Sequence, residues 1–212
     1  MRIHKLTTGR VRGPRRPRGA TRYLRLEWSD STLPVNAFLV EHDAGLLLVD
    51  TGQGAAAAHV GFLPRWHPFL RIARFELAPD DEAAAQIERL GFDTRDVRTV
   101  VLTHLHTDHV GGVSAFAHAD VLVSEREWRD ASGVAGRVRG YVPRQWPRGL
   151  RPQLVRLAGG GFGPFAASHE LEGFRGVTLV SLPGHTRGHV GVLAGSALVG
   201  GDAAHDPHEL EA

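Results

Sequence analysis

The junction at Thr103 limits what this chain can fold into more than any other feature. Residues 97–103, Val-Arg-Thr-Val-Val-Leu-Thr, read as a strand of the buried type. They pass without a spacer into His104-Leu-His-Thr-Asp-His109-Val-Gly-Gly112. A sheet must therefore deliver the end of a buried strand to a place where three imidazoles and a carboxylate can gather. Residues two apart share a face of an extended segment. On that basis His104, His106 and Asp108 converge on one point, and His109 enters from the adjoining turn. Gly111 and Gly112 are expected to let the backbone bend sharply beside them. Imidazole and carboxylate at this spacing suit zinc, iron or manganese, with bonds of about 2.0–2.2 Å for zinc.

Other strand ends carry the same chemistry. Leu182-Pro-Gly-His185-Thr-Arg-Gly-His189 follows a β-run, which puts His185 in a Pro-Gly turn at a sheet edge. His189 is open between a hydrogen-bonding support and no role. Val199-Gly-Gly-Asp202 and Asp50-Thr51-Gly52 each place a carboxylate after an apolar run. Between these points the pattern predicts strands over 3–8, 35–41, 46–50, 121–124, 177–182, 189–194 and 197–199. The turn at 42–45 makes 35–50 a hairpin. Helices are expected behind an Asp80 N-cap, stopping at Gly91, and over 125–131. Gly- and Pro-rich loops cover 143–152 and 159–164. No repeat and no linker interrupts the chain, so its 212 residues read as a single domain.

Composition removes several classes. With no cysteine, thiol nucleophiles, disulfides and thiolate zinc sites are excluded together, while 13 histidines supply ligands. No apolar run approaches the roughly 20 residues of a membrane span. The start lacks a secretory core, so a cytoplasmic protein is expected. The net charge is only +2, and Lys5 is the only lysine. Arg10, Arg12, Arg15, Arg16, Arg18, Arg22 and Arg25 cluster among Gly and Pro, and residues 10–25 are expected to form a flexible basic loop. With Tyr23 the one aromatic among these arginines, that loop is not taken to argue for nucleic acid. No Gly-x-Ser-x-Gly elbow occurs, and Pro164 breaks the dinucleotide fingerprint begun at Gly159. Trp66, Phe69, Phe75, Trp146 and Phe162 are read as core before they are read as an acyl pocket.

On its strand-end residues the chain resembles the metallo-β-lactamase superfamily, whose hallmark is His-x-His-x-Asp-His, a later His and a bridging Asp. The resemblance runs from about Leu33 to Asp202 and includes Asp50, similar to the family's strand-end Asp that buttresses the metal loop. It implies an α/β fold, a four-layer αβ/βα sandwich, over residues 1–212. It implies two divalent ions, zinc first and iron or manganese as alternatives. His104, His106 and His185 would hold one, Asp108 and His109 the second, and Asp202 would bridge them. Leu33-Pro-Val-Asn-Ala-Phe-Leu-Val40, Pro183 to His189 and Gly201-Asp-Ala203 resemble the N-acyl-homoserine-lactonase-like branch.

The family's last ligand, a histidine tens of residues beyond the bridging Asp, has no room here, since ten residues follow Asp202. Two readings of His205 stand: a remnant of that ligand after loss of the intervening segment, or a replacement for a substrate-polarising tyrosine, with His208 a further candidate ligand. The implied reaction is the opening of a lactone or ester, such as an N-acyl homoserine lactone, by a metal-bridged hydroxide, with Asp108 passing a proton to the leaving alkoxide. The alternatives are a glyoxalase II-like thioester hydrolase, a mononuclear iron oxidoreductase, and a shortened member that binds metal without catalysis. The implied partner is a small-molecule substrate, with a homodimer left open and no membrane expected.

Overall fold

The computed structural model describes residues 1–13, 29–58, 73–133, 136, 141–143, 146–147 and 149–203. Eleven strands among them form two sheets. The larger contains β1 (Arg2–Arg12), β2 (Leu33–His42), β3 (Gly45–Val49), β4 (Arg74–Glu76), β5 (Val97–Leu102), β6 (Asp120–Ser124) and β7 (Gln153–Val155), in the order β4-β1-β2-β3-β5-β6-β7. The smaller contains β8 (Ser168–Glu170), β9 (Val177–Ser181), β10 (Val190–Ala194) and β11 (Ala197–Val199), in the order β11-β10-β9-β8. The α-helices are α1 (Ala83–Arg89), α2 (Thr107–Val110) and α3 (Glu125–Ser132).

The side-chain pattern explains the layering. Strands β3, β5 and β6 pair in parallel, and their near-continuous apolar sequences bury both faces. Leu46, Leu48, Val100, Leu102, Val121 and Val123 face Ala83 and Ile87 of α1, Ala131 of α3, and Phe116. The alternate residues Leu47, Val49, Val101 and Leu122 face Val177, Leu179, Val192 and Ala194 of the smaller sheet. Each such side chain contributes roughly 1.5–3 kcal/mol by leaving water, so the two apolar layers fix which strand ends lie side by side.

Several expectations need correction. Arg10 and Arg12 belong to β1 and not to a loop. Arg12 pairs with Glu76 at 2.8 Å and Arg10 Nε donates to Thr32 at 2.6 Å. The other arginines of that run lie outside the described residues. Asp80 does not cap α1. It sits within a 3-10 turn over Pro79–Asp81, and Glu82 occupies the N-cap. Strands β4, β7 and β8, each three residues long, are too short to show the alternation that marks a strand. Trp146 stacks on Trp128 with ring centroids 5.3 Å apart, packed against the helix-side core, whereas Phe162 is half exposed. Trp66 and Phe69 lie outside the described residues.

Candidate metal centre

The parallel strands β3, β5 and β6 all end at one edge of the larger sheet. The β9–β10 turn and the end of β11 arrive there from the smaller one. Val190 N–H donates to Thr103 C=O at 3.0 Å, which joins the two sheets beside the histidine cluster. Leu182 N–H donates to His189 C=O at 3.0 Å and closes the turn that carries His185.

Two overlapping ligand sets result. One is His104, His106 and His185, the other His104, His109 and Asp202, and within each the ligating atoms lie within 4.8 Å of one another. His106 Nδ1 and His185 Nε2 face each other at 2.9 Å. Asp202 reaches towards both sets, with Oδ1 3.3 Å from His109 Nε2 and Oδ2 3.5 Å from His185 Nε2.

Asp108 stands apart from both sets. The extended segment ends at His106, the N-cap of α2, so Asp108 lies in the first turn of a helix. Successive residues there point about 100° apart, which removes Asp108 from the line shared by His104 and His106. It lines a cleft of about 340 Å³ together with His109, Asp202 and the apolar side chains of Val11, Leu33, Pro34, Val35, Phe38 and Leu198. Of the aromatic residues singled out above, the described ones, Phe75, Trp146 and Phe162, are not among its lining residues. His205 and His208 lie outside the described residues.

Asp50 sets the protonation of two of the histidines. It is buried and holds a left-handed backbone, φ 59°, a conformation uncommon outside glycine and kept where surrounding structure demands it. Oδ1 accepts Thr103 N–H at 2.8 Å, and Oδ2 accepts both the Thr103 hydroxyl and His109 Nδ1–H at 2.8 Å. The Thr103 hydroxyl has one proton, and it goes to Asp50. Its oxygen must then accept from His104 Nδ1, 3.1 Å away. His104 is left with a lone pair on Nε2, and on His109 the proton held by Asp50 leaves Nε2 as the nitrogen that a cation can take once the ring is neutral. His104 is fully buried, and its Nε2 has no hydrogen-bond partner. A buried, unpartnered imidazole lone pair beside other imidazoles and a carboxylate fits a divalent cation.

Electrostatics divide the rings. Burial, reinforced by the neighbouring histidines, holds His104 well below the usual histidine range. Burial also lowers His189 to about 4. For His109 burial opposes the charge, but Asp50 and Asp202 outweigh it and raise the ring well above its usual value. His189 is buried, its ring 5.1 Å from that of His104, and neither of its nitrogens has a partner among the described residues.

Gly111 and Gly112 act differently from expectation. Both have ordinary right-handed backbone angles, φ −63° and −88°, so no sharp bend requires them. What they supply is room: a Cβ on Gly112 would lie 2.4 Å from Thr51 C=O, and one on Gly111 would lie 2.1 Å from Gln53 Oε1. Glu127 escaped the sequence reading. Ser124-x-x-Glu127 looks like a helix-capping pattern, and Ser124 does accept Glu127 N–H at 3.1 Å. The carboxylate, however, turns away to Leu105 N–H at 3.0 Å.

Comparison with known proteins places this geometry. The family model described as the metallo-beta-lactamase superfamily matches residues 30–211. A Mycobacterium tuberculosis protein named a probable metallo-hydrolase is 40% identical over 167 residues, which are 74% of this chain and 51% of that protein. The chain thus spans about half the length of that relative. An N-acyl homoserine lactonase of Azorhizobium caulinodans is 31% identical over 188 residues, 84% of this chain and 67% of its own. Among solved structures, an N-acyl homoserine lactone hydrolase with N-hexanoyl-L-homoserine at its catalytic metal centre superposes with a TM-score of 0.69 at 23% identity, covering 90% of this chain and 68% of the other.

Proposed function

This chain belongs to the metallo-beta-lactamase superfamily and has its fold, and from that premise we propose that it is a metal-dependent hydrolase that opens a lactone or related ester. The observation that carries the reading is His104 Nε2, buried and unpartnered among the described residues where the two ligand sets overlap; His109 and Asp202 of the second set also line a cleft walled by apolar side chains. The 31% identity to an N-acyl homoserine lactonase supports the substrate class.

In this reading His104, His106 and His185 would hold one ion, His109 and Asp108 would help hold a second, and Asp202 would serve both. His205 is the proposed remaining ligand. Bound divalent ions, with zinc proposed, would supply Lewis acidity towards a carbonyl oxygen and bring the pKa of water near neutrality. Asp50 keeps the His104 and His109 lone pairs on Nε2, through Thr103 in the first case and directly in the second. Asp108, at the cleft and outside the tight clusters, is placed to carry a proton from the reacting water to the leaving alkoxide oxygen. Leu33, Pro34, Val35, Phe38 and Leu198 exclude water and receive the apolar part of the substrate.

The test is elemental analysis of the purified chain, followed by pH-stat titration of N-hexanoyl homoserine lactone opening. About two metal ions per chain, with acid release abolished by chelator and restored by zinc, is the expected result. A metal-loaded chain that releases no acid from lactones or simple esters would overturn the substrate assignment.

A further inference from the structure

Glu127 lies outside both ligand sets yet grips the chain on either side of one of them. Its side chain is buried. Oε1 accepts the N–H of Leu105, the residue between His104 and His106, at 3.0 Å. Oε2 accepts the hydroxyl of Thr186, the residue after His185, at 2.7 Å. The Tyr141 phenol bonds to the same carboxylate, and its ring lies 5.0 Å from that of His106. The backbone beneath is clamped as well. Ser124 Oγ, which caps α3, donates to Gly188 C=O at 2.6 Å. Gly188 sits so close that a Cβ there would lie 2.2 Å from Glu127 N.

We propose that Glu127 is the positioning residue that sets the spacing between the His104–His106 segment and the His185 turn, and with it the fit of the three-imidazole set to a divalent ion. The proposal rests on the reading that this set holds a metal. The two segments come from different sheets, and apolar layers locate sheets only to within side-chain packing. A rigid carboxylate with one oxygen on each segment converts that loose register into fixed distances. Tyr141, held by the same group, limits where the His106 ring can swing.

The experiment measures zinc affinity of the full chain by competition with a chromophoric chelator, and records the cobalt absorption spectrum as a readout of ligand geometry. Glu127→Ala is expected to weaken zinc by roughly 10–100-fold, and Thr186→Val, which keeps shape and removes only the hydroxyl, by roughly tenfold. The double variant should be no weaker than Glu127→Ala, because both act through one contact. Glu127→Gln, which keeps an acceptor for Leu105 N–H and can still bond Thr186, should recover most of the affinity and the cobalt spectrum. If Glu127→Ala does not fold, Thr186→Val decides. Affinities and spectra equal to wild type would overturn the proposal, as would a Glu127→Gln variant as weak as Glu127→Ala. A wild-type chain that takes up no metal would overturn the parent reading as well, so the two failures are distinguishable.

Discussion

Replacing Asp50 by asparagine changes one atom and should disturb two ligands. The amide oxygen of the new side chain keeps the Thr103 N–H bond, made at 2.8 Å in the native chain. Its NH2 group replaces Oδ2, which accepts from both the Thr103 hydroxyl and His109 Nδ1. Two acceptances become two donations. The Thr103 hydroxyl then turns to accept from the amide and gives its own proton to His104 Nδ1, which moves the His104 proton to Nε2. His109 is pushed the same way by the amide facing its Nδ1. On both rings the proton of the neutral form then sits on Nε2, the N–H form that cannot bind a cation. Restoring the binding tautomers in the variant forfeits the two neutral bonds that the amide donates, each about 0.5–1.5 kcal/mol. The sum, about 1–3 kcal/mol, is roughly 5- to 150-fold in dissociation constant at 1.4 kcal/mol per tenfold. Zinc competition against a chromophoric chelator measures it, and nitrogen-15 shifts of His104 in the metal-free chain report which nitrogen is protonated. A folded Asp50→Asn variant with a zinc constant within threefold of wild type, and His104 still protonated on Nδ1, would refute the relay.

Two further outcomes follow from the same geometry. Gly112→Ala must push its new Cβ away from Thr51 C=O, 2.4 Å distant. The expected loss is about 1–3 kcal/mol, a fall of roughly 2–10 °C in the melting temperature of the metal-free chain, and an unchanged melt would show that α2 yields freely. With metal stripped by chelator, stability should fall as pH drops from 6.5 towards 4. Burial lowers the folded-state pKa of His189 to about 4, so the unfolded chain binds a proton that the folded chain refuses. His104, lowered by burial, has the same sign. His109, raised mainly by Asp50 against the effect of burial, contributes stability that is complete below 6.5 and constant across this window. Urea midpoints across the window should decline less steeply for His189→Gln, and parallel declines would rule His189 out.

What the sequence revealed and concealed has a physical logic. The segment His104 to His109 was visible because its ligands are near neighbours in the chain, and the strands flanking it were visible because they are buried on both faces. The structure draws His185 and Asp202 to the same place, as their strand-end positions suggested. Asp108 departs from the expected line because one helical turn starts at Thr107, too short to leave a periodic trace. Glu127 and Thr186 meet across 59 residues, and no local pattern signals such a contact. Ser124-x-x-Glu127 also fits a capping box, in which the Glu side chain would return to its own N-cap, a local role that hides the distant one. Strands β4, β7 and β8 went unseen because pairing partners, not their own three-residue sequences, make them strands.

The two ligand sets draw His104, His106 and His109 from the end of β5 and α2, and His185 and Asp202 from the smaller sheet. An ion held there would be a rivet between two slabs that otherwise adhere through an apolar layer and hydrogen bonds such as those from Val190 to Thr103, Thr186 to Glu127 and Ser124 to Gly188. Folding is then coupled to mass action. Above the dissociation constant, each tenfold rise in free ion adds about 1.4 kcal/mol to the folded state. The metal supply of the surroundings becomes a dial on how long the molecule survives, apart from whatever it does to turnover.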